Sequence, residues 1–262
     1  MCRRIALDSQ INASYLPVNF LDNPANVKAY ITLITGGVSS GDYSEYNLAA
    51  HVGDDLVAVS QNRAKLIDDL SLPSEPVWLD QVHSNKAVYV DDGLSLKLSE
   101  NHRIQADASI TGSRGVVCTV LTADCLPVFF CNQSGTEVAV AHAGWRGLHA
   151  GIISNTLSNM KSSADTILVS LGPAIGPDVF EVGDEVRQAF VDKDELNALA
   201  FIETSKDQYL CDIYRLARNE LKTAGVKQVT GGGFCTYSEH KRFYSYRRNR
   251  VTGRMASLIW LD

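Results

Sequence analysis

Apolar residues along this chain fall into short β-branched blocks separated by turn formers, a pattern of strands more than of long helices. Eight blocks read as strands: Ala29–Ile34, Lys86–Val90, Ala108–Ile110, Val116–Leu121, Val128–Cys131, Val138–Ala141, Thr166–Leu171 and Ser257–Leu261. Four other segments carry helix signals. Asp54 is placed to cap a helix over Asp55–Leu70, with Leu66 and Leu70 on one buried face. Leu148–Met160 reads as a second helix. Asp184 caps a third, running toward Phe190. Asp212 caps a fourth that stops at Gly225, a residue suited to the left-handed conformation at a helix end. Strands and helices interleave, which predicts a mixed α/β sandwich and leaves parallel or antiparallel pairing open. The stretch Asp91–Gln105 is polar and loop-like. No repeat or low-complexity linker divides the chain, so one domain over residues 1–262 is expected.

Composition narrows the classes. With 262 residues the chain can bury a full core without disulfide or metal staples. Hydrophobic residues at 45% and charged residues at 21% suit a folded chain and not a disordered one. Twenty-four Lys and Arg against 30 Asp and Glu give a net charge of −6, which argues against a general nucleic-acid binder. No apolar run approaches the roughly 18 residues of a membrane span. At the start, only Ile5-Ala6-Leu7 separates Arg4 from Asp8, too short a core for a signal peptide. Cysteines at 2, 118, 125, 131, 211 and 235 form no CxxC pair, so reduced thiols in a cytoplasmic protein are expected.

The segment Val116–Gly151 carries the most chemistry. One predicted strand runs into Thr122-Ala123-Asp124-Cys125-Leu126-Pro127, and another into His142-Ala143-Gly144-Trp145-Arg146-Gly147. Two strands thus deliver a Cys and a His at their ends, where ligand sites gather in open α/β sheets. Small residues around His142 let a ligand approach the backbone. His83, before the strand Lys86–Val90, is a third candidate. Imidazole and thiolate suit zinc or copper, and three protein ligands leave a fourth position open. The sequence separations match no local metal motif. A buried structural Cys beside two hydrogen-bonded His residues stands as the alternative. Cys118 and Cys131 read as core residues, and Cys211 stands just before a helix cap. His102 and His240 lie in polar segments, and His149 follows His142 on a helix. His51, in a Gly-bounded loop, stays open as a further ligand, as does Cys235.

Beyond Gly231-Gly232-Gly233, six cations follow: Lys241, Arg242, Arg247, Arg248, Arg250 and Arg254. They read either as a solvated basic loop or as an anion pocket, because Arg binds phosphate through two parallel bonds. Phe243, Tyr244 and Tyr246 among them read as a stacking platform or as core. The loop Thr35–Gly41 is glycine-rich but lacks the Lys of a phosphate loop. It is a turn first and a binding loop second.

Taken together these segments resemble one family. The words are Gly36-Gly37-Val38-Ser39, Tyr46-Asn47-Leu48, Asn62-Arg63, Gln81-Val82-His83, Ala106-Asp107 and Thr122-Ala123-Asp124-Cys125. They continue with Ala141–Gly147, Leu171–Gly176, Glu181-Val182-Gly183, Tyr244–Arg248 and Thr252–Ser257. The chain is similar to the YfiH or PgeF family, whose members have been labelled laccase-domain polyphenol oxidases and purine nucleoside phosphorylases. The resemblance implies an α/β/β/α sandwich and a zinc site on His83, Cys125 and His142, with Cu2+ an alternative metal. It implies phosphorolysis of adenosine, inosine and S-methyl-5′-thioadenosine, together with adenosine deamination. Some members are linked to editing of peptidoglycan precursors in the cytoplasm. Expected partners are a nucleoside and phosphate, with no nucleic acid and no membrane.

Site roles follow from position. Cys125, Asp124 and His142 form the expected catalytic set, with Asp124 orienting a ligand or moving a proton. Gly36, Gly37, Asn47, Asp107, Arg247 and Arg248 are expected to hold substrate, Asn47 and Asp107 by gripping ribose or base. The family commonly has Arg where this chain has Ile34, which throws phosphate binding onto Arg247 or Arg248. Asp178-Val179-Phe180 stands where many members have Cys and Tyr. A true multicopper oxidase needs many imidazoles, and six His are too few. A metal-free rival uses Cys125 as nucleophile and His142 as its base in a thiol hydrolase or amidase. A structural zinc, closed by His51 or Cys235, is the non-catalytic rival.

Overall fold

A computed structural model describes residues 14–91 and 104–262. His102, most of the predicted loop Asp91–Gln105 and the N-terminal segment Met1–Asp8 lie outside the described residues.

Two sheets pack face to face, each covered on its outer side by helices. The first has the order β1 (Tyr15–Pro17), β2 (Val27–Thr32), β13 (Met255–Leu261), β5 (Cys118–Thr122), antiparallel throughout. The second runs β12 (Gln228–Gly231), β8 (Ile167–Leu171), β6 (Leu126–Asn132), β7 (Val138–Ala143), β4 (Ala108–Thr111), β3 (Ala87–Tyr89). Only its outer pairs, β12 with β8 and β3 with β4, are parallel. A small third sheet joins β10 (Phe201–Ser205), β11 (Gln208–Cys211) and β9 (Glu181–Gly183). The helices are α1 (Leu56–Leu70), α2 (Trp145–Ala150), α3 (Ile152–Asn159), α4 (Asp184–Lys193) and α5 (Ile213–Thr223). This is the α/β/β/α sandwich the resemblance implies.

Side-chain alternation explains the layers. Along β6, Leu126, Val128 and Phe130 face the helices, whereas Phe129 and Cys131 face the other sheet. Along β7, Ala139, Ala141 and Ala143 face the helices and Val138 and Val140 the other sheet. His142 shares the parity of Val138 and Val140. On β13, Ala256, Leu258 and Trp260 meet Leu66 of α1, while Met255 and Ile259 enter the inter-sheet core. Strands covered on both faces read as continuous apolar blocks, as β5 to β8 do.

Helix ends depart from the sequence reading in instructive ways. Asp55, not Asp54, caps α1 by accepting from Val57 N at 2.9 Å. Asp54 instead accepts from Ser39 Oγ and Asn47 Nδ2. The single helix expected over Leu148–Met160 starts earlier, at Trp145, and breaks at Gly151, whose φ of 90° ends α2 and starts α3. Asp184 is the first residue of α4, and Gly183 takes the cap position. Asp212 does cap α5, through Arg215 N at 2.9 Å. Pro127 is the second residue of β6, one position past the Val128–Leu171 rung with β8, and its carbonyl accepts from Gly172 N at 2.9 Å. The five described cysteines are free, and Cys118, Cys131 and Cys211 are buried. No described helix is long and apolar enough to cross a membrane.

Candidate metal centre

Strand register brings two of the three ligands together. Leu126 of β6 pairs with Ala143 of β7, and Pro127 with His142. Cys125 therefore emerges opposite Gly144, and a Cβ on Gly144 would stand 2.8 Å from Cys125 Sγ and 3.1 Å from His83 Cδ2. Only a residue without a side chain leaves the thiolate room there. His83 comes from a different layer, on a strap held alongside β5. The amide of Gln81 donates to Leu121 O at 2.9 Å and accepts from Leu121 N at 2.7 Å, as a neighbouring strand would. His83 itself has a left-handed backbone, φ 59°.

The result is a compact donor set. One ligating atom each from His83, Cys125 and His142 lies within 4.8 Å of the others. Cys125 Sγ stands 3.8 Å from His83 Nε2, and the two imidazole centroids are 4.7 Å apart at 72°. Donors around a tetrahedral zinc lie about 3.3–3.5 Å apart at the usual bond lengths, so small adjustments bring the three onto one ion. His142 is buried, Cys125 half-buried and His83 exposed, so the set opens to solvent on the His83 side. No other group of three or more His, Cys, Asp or Glu among the described residues comes this close. Neither His51 nor Cys235 joins it, which removes the fourth protein ligand that a structural zinc requires. Two His and one Cys with an open face suit zinc, and suit copper by donor type.

Asp107 underlies the cluster. Its side chain is fully buried and accepts from His142 Nδ1 at 2.8 Å, His83 N at 3.0 Å, Ser84 N at 2.6 Å and Ser84 Oγ at 2.7 Å. Burial alone would raise its pKa. The hydrogen bonds from His142 and Ser84 outweigh burial and hold the carboxyl down at about 2. Burial likewise disfavours the Cys125 thiolate, but the charge and hydrogen bond of His142 and the His83 ring bring the thiol down to about 6. His142 is pushed the other way, up to about 9: the Cys125 charge and Asp107 overcome burial. Without metal these groups form a thiolate–imidazolium pair.

Other expected site residues sit elsewhere. Asp107 is fully buried, with both oxygens engaged by His142, His83 and Ser84. Asn47 is also fully buried: Nδ2 donates to Ala49 O and Asp54, and Oδ1 accepts from Ala49 N and Arg254 N. Gly37 lies hard against the Glu45 and Tyr46 backbone, and Gly36 N donates to Glu45 Oε2, so this loop is braced internally. Asp124, with φ 93°, accepts from Thr236 Oγ1 at 2.7 Å and Arg247 N at 2.6 Å. Both its oxygens hold the 236–247 loop against the Cys125 turn.

Two of the basic residues are likewise occupied. The Arg248 guanidinium donates to the carbonyls of Thr236, Tyr237 and Phe243, a clasp rather than an open fork. Arg247 donates to Glu181 O and lies over Phe180, 5.5 Å from the ring centroid. Phe243 and Tyr244 are core, whereas Tyr246 is 42% exposed between Arg250 and Arg254. Arg254 was one cation among six in sequence. Here burial lowers its pKa against the opposing charges of Cys125 and Asp124, so it stands within electrostatic reach of the thiolate. Ser84 and the clamping role of Gln81 left no signal in spacing or composition.

A family profile described as Multi-copper polyphenol oxidoreductase laccase matches residues 28–262. The chain is 51% identical over 238 residues to Purine nucleoside phosphorylase YfiH of Escherichia coli K12, covering 91% of this chain and 95% of the relative. It is 50% identical over 240 residues to Purine nucleoside phosphorylase PA4543 of Pseudomonas aeruginosa, with 91% and 95% covered. Among solved structures it superposes on protein NMB0706 of Neisseria meningitidis with TM-score 0.88 at 46% identity, covering 95% and 99% of the two chains. It also superposes on YlmD of Geobacillus stearothermophilus with TM-score 0.86 at 32% identity, covering 90% and 92%.

Proposed function

The chain belongs to the YfiH/PgeF family of laccase-like proteins, and on that premise we propose that it is a zinc-dependent purine nucleoside phosphorylase. Its substrates are adenosine, inosine and S-methyl-5′-thioadenosine, and it also deaminates adenosine. The observation that carries the reading is the open three-donor set of His83, Cys125 and His142. His83, Cys125 and His142 would hold a zinc ion there, and it would supply the Lewis acid called for when water replaces the adenine 6-amino group and ammonia leaves.

Phosphorolysis forms a bond from a phosphate oxygen to C1′ of the ribose and breaks the bond from C1′ to N9 of the purine. The base leaves with that electron pair and gains a proton. The chain's task is to hold phosphate against the sugar and to steady the departing base. Arg254 and Arg247 carry the charge for phosphate on a chain that is acidic overall. The exposed ring of Tyr246, flanked by two Arg, offers a face for the purine. A cytoplasmic setting fits the free thiols of the described cysteines. No nucleic-acid or membrane partner enters this reading. Inosine and phosphate with the zinc-loaded protein should release hypoxanthine. No product above a Cys125→Ala control removes the phosphorylase.

A second reading has its own support. The charge and hydrogen bond of His142 hold the Cys125 thiol down at about 6 against burial, as a thiol hydrolase or amidase acting on cell-wall precursors with His142 as its base would need. One tight zinc per chain, lost in His83→Ala, favours the phosphorylase. Fast iodoacetamide labelling that chelator leaves unchanged favours the thiol enzyme. Copper on the same donors supports weak phenol oxidation as a side activity.

A further inference from the structure

We infer that Asp107 is the positioning residue of the metal centre, a single carboxylate that fixes both the ring of His142 and the strap carrying His83. The inference rests on the metal-dependent reading above. It comes from how the two oxygens divide their work. Oδ1 accepts from His142 Nδ1 at 2.8 Å and from His83 N at 3.0 Å. Oδ2 accepts from Ser84 N at 2.6 Å, Ser84 Oγ at 2.7 Å and Val82 N at 3.3 Å. Three successive N–H groups, 82 to 84, thus converge on one anion. They can do so because His83 is left-handed, φ 59°, the backbone turn that builds such anion nests. The unusual conformation of His83 is therefore the strap's way of wrapping Asp107.

The same carboxylate settles which nitrogen His142 offers. With Nδ1–H donating to Asp107, Nε2 is the nitrogen left toward Cys125 and His83, the one that gives up its proton when a metal binds. The backbone repeats the link, since Asp107 O accepts from His142 N at 2.7 Å. Asp107 is 0% exposed, so water cannot replace these bonds if they are lost. Two ligands from separate layers are thus set by one group, and a carboxylate behind a ligating imidazole is a known determinant of metal affinity.

Asp107→Asn tests this because an amide has one acceptor oxygen. If its NH2 takes the Oδ1 position, it confronts Nδ1 and drives the His142 proton to Nε2, the ligating nitrogen. If it takes the Oδ2 position, it confronts the donors of Ser84 and Val82 and loosens the strap. Either way zinc binding should weaken ten- to a hundredfold in competition with a chromophoric chelator. Ring 15N shifts of metal-free His142, taken above pH 9 where the ring is neutral, together with hydrogen exchange of the 82–84 amides near neutral pH, show which half failed. A merely structural Asp107 would lower the melting temperature and leave zinc affinity within threefold and the ring shifts unmoved. That result overturns the inference. If Asp107→Asn does not fold, Ser84→Ala decides. It should weaken zinc several-fold and speed exchange at 82–84 without altering the His142 ring shifts, and unchanged zinc affinity overturns the proposal. Zinc held equally by parent and variants sinks this inference alone, whereas a parent that takes up no zinc sinks the metal-dependent reading with it.

Discussion

Cys125 and Gly144 face one another just past the last rung between β6 and β7, so close that a methyl group on Gly144 would lie 2.8 Å from the Cys125 sulfur. The backbone of Gly144 is extended, φ −67° and ψ 162°, which alanine adopts without strain. Gly144→Ala therefore acts through contact alone. The sulfur must rotate away, and the His83 ring must shift as well. Zinc affinity should fall at least tenfold while the metal-free protein melts near the parent temperature. Metal content after gel filtration, set beside a thermal melt with chelator, checks both halves.

The thiolate–imidazolium pair makes a pH prediction for the metal-free protein. Cys125 is held down at about 6, so its thiolate persists as pH falls from 8 toward 6 and is lost only below that. An unperturbed thiol, near 8.5, would already lose most of its reactivity between pH 8 and 7. Iodoacetamide labelling of Cys125 in chelator should accordingly be nearly flat from pH 8 to 7 and drop below about pH 6. Saturating zinc should suppress it across the range. A rate that falls tenfold per unit from pH 8 downward shows that His142 does not stabilise the thiolate.

Asp124 is where sequence position misleads. Next to Cys125 it looks catalytic, yet its oxygens hold Thr236 Oγ1 and Arg247 N. Asp124→Asn keeps a side chain that tolerates the left-handed backbone but replaces one acceptor with a donor. The expected loss is about 1–3 kcal/mol of stability, from one buried donor left facing another. Zinc content should stay near the parent value. Denaturant unfolding alongside metal analysis separates this from a direct catalytic role.

What the sequence made legible follows from what each signal measures. Continuous apolar blocks mark strands covered on both faces, and β5 to β8 lie where those blocks stand. The cap of α1 falls one residue later because two neighbouring acids offer the same role, and only geometry shows that Asp54 is already taken by Ser39 and Asn47; at α4 the cap is Gly183, with Asp184 inside the first turn. The ligand words around Cys125 and His142 were readable because each ends a strand. Their meeting with His83 was legible only through the family resemblance, since spacing does not show the long-range clamp by Gln81 or the register on which it depends. Asp107 and Asn47 share one feature that the sequence does not show: a polar residue in a motif looks available, whereas both are buried with their bonds made within the chain. A positive cluster in sequence says nothing of which guanidinium is free.

That last distinction separates two arginines by experiment. Arg248 gives its donors to three backbone carbonyls, whereas Arg254 uses Nη1 on Thr252 O and Gly253 O and stands near Cys125. Removing the first unties a loop; removing the second takes a charge from beside the metal centre. Arg248→Met should lower the melting temperature by a few degrees, as expected for the loss of about 1–2 kcal/mol in part-buried and exposed hydrogen bonds. Its KM for phosphate should change little. Arg254→Met should raise the KM for phosphate at least tenfold, with zinc content unchanged. Arg254→Lys should recover part of that loss, because charge returns without the planar fork. Steady-state phosphorolysis of inosine over a range of phosphate concentrations measures the difference. If Arg254→Met leaves the phosphate dependence unchanged, phosphate is held elsewhere and Arg247 becomes the next residue to substitute.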